Sequence, residues 1–254
     1  MTGTYRVVSL GRQVGIGIAG SQFVTLQAVA KVNGPNAHYC IPNELICGVI
    51  GRFLGLPVPP SAVIEAPGAP TPLLFASLDF NLTGNALPPV DTADCFARLP
   101  DLSTGLLLFD ALVANCDRHR ANFAVDQLAT PARMNVFDHS HALFGYAAGQ
   151  GRSRLAELRD RLGMSGGTRT GGNRHCLIEV VSTDAHFGKW LDRISALPDF
   201  FIEETCKEPV GQGIAEEEAN AAIEFLRYRR DHLRDIIDGG RHEFTAIQQW
   251  SLFR

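Results

Sequence analysis

A glycine-rich stretch set between two β-type runs constrains this chain most. Gly15-Ile16-Gly17-Ile18-Ala19-Gly20 has the spacing G-x-G-x-x-G. A dinucleotide-binding turn of that pattern must open a helix and meet an acidic residue roughly 20 positions further on. Here Phe23 to Val32 follow, a run rich in strand formers, and the acidic region holds Asn36 to Tyr39 instead. What remains is a strand, a glycine loop and a second strand. That is either a plain hairpin turn or a loop laid over phosphates, because glycine lets backbone N–H groups approach anionic oxygens.

The order of the remaining elements excludes a regular βαβ alternation. Tyr5 to Leu10 and Phe23 to Val32 read as strands, and Asn33-Gly34-Pro35-Asn36 as a turn. Residues 42–55 read as a helix with Leu45, Val49 and Phe53 on one face, and 61–65 and 72–78 as strands. The polar stretch Asp79 to Pro89 reads as a hinge between two lobes. Beyond it the chain predicts a buried helix over 101–115, the polar loop Cys116 to Asn122, and a ribbon of Phe123–Val125 with Met134–Phe137. A Gly/Thr/Ser-rich loop at 163–174 precedes a helical end, whose 216–238 helix opens with three glutamates and stops at Gly239-Gly240. The expected fold is α+β, with a small β-rich N-lobe over residues 1–80 and a larger, mostly helical C-lobe over 81–254.

Composition removes several classes of function. The 254 residues carry 23 basic and 27 acidic side chains, a formal charge of −4, which argues against coating nucleic acid or an anionic membrane. No apolar run reaches the ~18 residues of a membrane-spanning helix. The N-terminus MTGTYRVVSLGR lacks the order of a signal peptide, so a cytoplasmic location is expected. The six cysteines form no C-x-x-C pair and read as free thiols.

Only three lysines occur, and Lys31 lies in the apolar strand Ala28-Val29-Ala30-Lys31-Val32. An ammonium buried there needs a partner. Glu44, near the start of the next helix, can satisfy it and aim it at a phosphate; the plainer alternative is a surface lysine, with Glu44 serving only the helix dipole. Asp117 and Asn122 share one loop. The Asp can orient or accept the proton of an attacking hydroxyl, and the Asn carbonyl can ligate Mg²⁺. Asp138 ends the ribbon and can face the same cleft to hold a phosphate-bridging metal. Each residue alone is more often a cap or turn; the set in this order is not. A zinc site built from Cys116, His119, His139 and His141 lacks defined ligand geometry, and His119 fits better as a support of the loop. A Cys-His hydrolase on Cys116 and His119 lacks an oxyanion element. The arginine runs at 152–161 and 227–234 are interleaved with acids and read as solvated helix faces.

Two stretches carry a resemblance. Val29-Ala30-Lys31-Val32, Asn43-Glu44-Leu45-Ile46 and Leu54-Gly55-Leu56-Pro57-Val58-Pro59 form the first. Phe109-Asp110-Ala111-Leu112-Val113-Ala114-Asn115-Cys116-Asp117-Arg118-His119 with Asn122, and Phe137-Asp138-His139-Ser140-His141, form the second. Together they resemble the HipA-like kinases, compact bacterial serine/threonine kinases that are similar to phosphoinositide 3/4-kinases and, more distantly, to protein kinases. The resemblance implies one bilobal, protein-kinase-like domain that uses ATP and Mg²⁺. It implies Lys31 as the phosphate lysine with Glu44 as its partner, Asp117 as catalytic aspartate, and Asn122 and Asp138 as metal ligands. The backbone around Ala76 to Phe80, with Ser77 and Leu78 at its middle, would be the hinge that meets adenine. Gly15, Gly17 and Gly20 would cover the phosphates, and His119 would stand by the nucleotide. The implied acceptor is a Ser/Thr hydroxyl on a protein, and an antitoxin-type regulator is the implied partner. The chain departs from the Asp-Phe-Gly of protein kinases, with Asp138-His139-Ser140 in that place. That departure leaves a non-catalytic nucleotide-binding scaffold as an alternative, and a small-molecule or lipid-headgroup kinase as another. Ser165, Thr168 and Thr170 mark the stretch Met164 to Asn173 as an activation or substrate-binding segment, or else a surface loop.

Overall fold

The computed structural model describes residues 5–15, 20–68, 73–81, 84–126, 128–164 and 174–252. Strands β1 (Val7–Gln13) and β2 (Gln22–Leu26) pair antiparallel on either side of the glycine stretch. No helix follows the motif, so the dinucleotide-binding alternative falls. Gly15 and Gly20 take φ of 72° and 65°, values that side-chain-bearing residues rarely adopt, and Val14 N–H closes on the Ser21 carbonyl at 2.9 Å. Gly17 lies outside the described residues.

Strand β3 (Ala28–Lys31), β4 (Ser61–Glu65) and β5 (Leu73–Leu78) form a second sheet in the order β3-β5-β4, with β5 central and both pairs antiparallel. The expected apolar burial of the Lys31 strand is corrected here. β3 is an edge strand whose Val29 is 60% exposed, because among the described residues nothing covers its outer face.

Helix α1 (Cys40–Phe53) starts two residues earlier than its Pro42 implies. It has no cap of its own at Tyr39; instead the Asn33 side chain accepts the Ile41 N–H at 2.8 Å. Ile41 and Leu45 of α1 pack with Phe75 of β5, while Ile46, Cys47, Ile50 and Leu54 join the main core. The helix thus bridges the sheet and the helical part. Phe53 departs from the predicted buried face: it is half exposed and meets the Phe201 ring at a tilt, 4.3 Å between centroids.

The helical part contains α2 (Thr92–Arg98), α3 (Pro100–Leu112), α4 (Gly151–Leu158), α5 (Phe187–Ser195), α6 (Asp199–Lys207) and α7 (Glu216–Gly239). Helix α3 is mostly apolar and buried on every face from Ser103 onward, the signature of a core helix. Pro100 suits its first turn. Gly105 lets Trp190 of α5 lie flat against it; a Cβ there would sit 2.2 Å from the indole. The ribbon β6 (Phe123–Asp126) and β7 (Arg133–Val136) follows the loop after α3. All six cysteines are free, and no helix among the described residues is long and apolar enough to cross a membrane.

Candidate active site

Helix α3 ends abruptly. Ala114 takes a left-handed φ of 50°, and the Asn115 amide folds back onto Asp110, N–H to carbonyl and Nδ2 to Oδ1, both at 2.9 Å. The strained turn launches the loop Cys116 to Asn122. Its centre is Arg118, wholly buried. Arg118 Nε donates to Asp110 Oδ2 at 2.8 Å and Nη2 to Oδ1 at 3.1 Å, a bidentate pair. Its Nη1 donates to the carbonyls of Asn122 and Phe137, each at 2.5 Å. One guanidinium therefore ties the loop to the residue before Asp138.

His175 completes this network. Leu177 N–H donates to its Nδ1 at 3.2 Å, so Nε2 carries the proton and donates to Asp110 Oδ2 at 3.0 Å. Burial pushes the His175 pKa down despite the carboxylate beside it. Burial alone would raise the Asp110 carboxyl, but the Arg118 charge and the His175 bond hold it well below the usual carboxylate range.

Asp138 sits just past β7 at a left-handed φ of 62°. Non-glycine residues rarely hold this conformation, and the surrounding bonds maintain it. Lys31 Nζ donates to Asp138 Oδ1 at 2.8 Å and to Glu44 Oε1 at 2.5 Å. Ser140 Oγ donates to the same Asp138 oxygen at 2.7 Å. Asp138 Oδ2 has no partner among the described residues. Burial would raise the Asp138 carboxyl, but the Lys31 charge and the bonds from Lys31 and Ser140 depress it strongly. Burial likewise opposes charge on Lys31, and Glu44 and Asp138 more than offset it, so the ammonium pKa is raised.

Glu44 is buried and meets His139 Nδ1 at 3.3 Å through Oε2, which with Lys31 keeps its carboxyl below the ordinary value despite burial. Asn43, beside it on α1, donates to the carbonyls of Ser140 and Gly145 at 2.7 and 3.0 Å and accepts the Phe144 N–H at 3.2 Å. That clamp fixes the segment after Asp138 against α1.

Asp117 Oδ2 meets His141 Nδ1 at 2.9 Å, and this bond raises the His141 pKa. Asn122 Nδ2 donates to the Asp117 carbonyl at 2.9 Å, which turns its amide oxygen away from that bond. His119 is exposed and its Nδ1 accepts the Ala121 N–H at 3.2 Å, bracing the loop. The structure thus brings Lys31, Glu44, Asp117, Asn122 and Asp138 into one bonded cluster.

At the sheet end of the cleft, Ser77 is flanked by Val29 and Ser61 within the three-stranded sheet. The N–H groups of Leu78 and Asp79 are taken by the Pro60 and Gln27 carbonyls, both at 2.9 Å. Phe80, stacked on Phe137 at 5.3 Å, is the first residue past β5 whose N–H has no partner among the described residues. Ser165, Thr168 and Thr170 lie outside the described residues. No three acidic, histidine or cysteine side chains converge as a metal site among the described residues, so the four-residue zinc arrangement is not assembled.

Sequence reasoning missed Asp110, Arg118, His175 and Asn43 as organisers. Arg118 stands inside the Asp117-Arg118-His119 motif and Asp110 lies eight positions before it, so the signal was present locally; His175 gave none.

No family model matches the chain, and no curated protein matches it. Among solved structures, the Helicobacter pylori proinflammatory kinase CtkA superposes with a TM-score of 0.57 at 13% identity, covering 87% of this chain and 92% of that one. A Shewanella oneidensis HipA, solved with HipB and operator DNA, gives a TM-score of 0.47 at 15% identity over 95% of this chain and 66% of that one. The chain thus has a kinase-like fold, shared with CtkA at low sequence identity.

Proposed function

We propose that this protein is an ATP- and Mg²⁺-dependent phosphotransferase of the HipA-like serine/threonine type, with a protein hydroxyl as acceptor. The observation that carries the reading is the Lys31 ammonium held between Glu44 and Asp138, while Arg118 ties the Asp138 segment to the loop of Asp117 and Asn122. Phosphoryl transfer asks little covalent chemistry of a protein; positioning and charge neutralisation do most of it. Lys31, kept charged by its two carboxylates, holds nucleotide phosphates under the glycine hairpin. Asp138 and Asn122 offer a carboxylate and an amide oxygen, hard donors of the kind Mg²⁺ takes beside phosphate oxygens. Held by Asp138 and Asn122, the ion would supply positive charge to neutralise the phosphates during transfer. Asp117, steadied through Oδ2 by His141, accepts the proton of the acceptor hydroxyl. A toxin-type role with an antitoxin-type regulator belongs to the same proposal and rests on the sequence resemblance.

Transfer of labelled phosphate from ATP tests it, with Asp117→Ala and Asp138→Ala alongside. Asp117→Ala should lower turnover by about 10²–10⁴-fold, the usual worth of a positioned acid–base group, and Asp138→Ala should abolish metal-dependent transfer. Equal transfer by the wild type and both variants would misplace the site. Tight Mg·ATP binding without turnover under any condition would make the chain a nucleotide-binding scaffold instead.

A further inference from the structure

A cavity of about 990 Å³ opens beside Asp117 and His141 and is lined by none of Lys31, Glu44, Asn122, Asp138, Ser77 or Leu78. It is therefore a second space that shares only the proposed proton acceptor with the nucleotide cluster. It runs between the segment Phe144 to Gln150, helix α4 and the C-terminal end of α7.

Its wall is unevenly charged. Asp117, Glu157, Asp160, Asp235 and Glu243 line it, against Arg154 and Arg161 and the imidazoles of His141 and His242. The two arginines have local work. Arg154 donates to the carbonyls of Leu143 and Ala114 at 3.1 and 2.9 Å, bracing the turn before the Asp117 loop. Arg161 lies 4.0 Å from Glu157 one helical turn away. Asp160 and Asp235, both exposed, make no hydrogen bond or ion pair among the described residues. The carboxylates are spread over the Asp117 loop, α4 and the turn after it, α7 and the short turn after that, and do not converge as a metal site. Such spacing suits several positive charges strung along a chain better than one compact cation.

We infer that this cavity is the acceptor groove and that it takes an extended protein segment carrying arginine or lysine on both sides of the acceptor serine or threonine. The inference deepens the kinase reading and rests on it, because Asp117 marks the reacting end of the groove.

The probe is a short fluorescein-labelled peptide with one serine flanked by arginines, compared with the same peptide carrying glutamates instead. Anisotropy reads binding without turnover, and labelled ATP reads transfer. The arginine peptide should bind, more weakly as salt rises, and about tenfold more weakly to D160N/D235N, two screened contacts together being worth about one decade. The double variant should unfold at the same temperature as the wild type, since both side chains are exposed and unbonded. Equal affinity for the two peptides, or unchanged binding by the folded double variant, overturns the inference. Binding of the arginine peptide with its serine never phosphorylated would uphold the groove's preference for basic segments while removing the kinase reading. Phosphorylation of the glutamate peptide in preference would do the reverse.

Discussion

The loop around Arg118 and the hairpin β1–β2 stand at opposite limits of how a chain holds its polar and apolar groups. Around the loop, Asp110, Arg118 and His175 are wholly buried, and each charged or hydrogen-bonding head meets a partner from a different element. In the hairpin every residue of both strands is exposed, and Val7, Val8, Leu10, Phe23 and Val24 face outward with Leu10 at 67%. A two-stranded hairpin is at best marginally stable by itself. The difference divides the labour of the proposed site. The carboxylates that would hold metal and proton are set by the fold before any ligand arrives. The glycine loop hangs on strands that the rest of the chain does not bury.

Breaking the buried end should give the largest effect. Arg118→Met strips Asp110 of its cation and leaves the Asn122 and Phe137 carbonyls without their donor. Removing one member of a fully buried pair costs about 3–5 kcal/mol, which urea unfolding would read as a lower midpoint at similar slope. A loss under about 1 kcal/mol, within the range of exposed ion pairs, would mean that the network is not the frame of the loop.

The pH dependence sharpens the same point at smaller amplitude. His175 has a lowered pKa in the folded protein, so the unfolded chain takes up its proton first as the solution is acidified. Its contribution is complete above the ordinary histidine value of ~6.5 and is lost as pH falls below it. Asp110 and Asp138, also depressed, add losses only below the ordinary aspartate value of ~3.9. Wild-type stability should therefore fall between pH 7 and 5 by more than that of His175→Gln, whose amide can still donate to Asp110. Parallel stability curves for the two proteins in that window would show that His175 is not buried neutral.

How much of this was legible follows from sequence distance. The buried helix α3, the loop and the ribbon lie within one continuous stretch, so their pattern of apolar run, polar loop and alternating strands could be read directly. Lys31 with Glu44 was readable because a lone lysine in an apolar run demands a partner; its strand's exposure was not, because composition cannot tell a covered strand from the edge of a sheet. The start of α1 depends on Asn33, eight residues before the amide it caps. His175 meets Asp110 across 65 positions and Asn43 reaches Gly145 across 102, pairings that no local pattern announces. That the amides of Leu78 and Asp79 are already bonded to Pro60 and Gln27 follows from β5 lying at the centre of its sheet, which no local pattern announces.

The hairpin end of the comparison predicts the smallest change in stability and the largest change in exchange. Leu10→Ser or Phe23→Ser removes a side chain already in water, so unfolding free energy should move by no more than about 0.5 kcal/mol. Hydrogen exchange should find the β1 and β2 amides opening at far lower cost than those of α3, since local stability tracks buried contact. Adding Mg·ATP should then slow exchange in β1 and β2 and leave α3 unchanged, because a ligand stabilises most what it alone orders. If Leu10→Ser instead destabilised the fold as much as Arg118→Met, the hairpin would be part of the core. The division between a preformed carboxylate frame and a ligand-ordered glycine loop would then be lost.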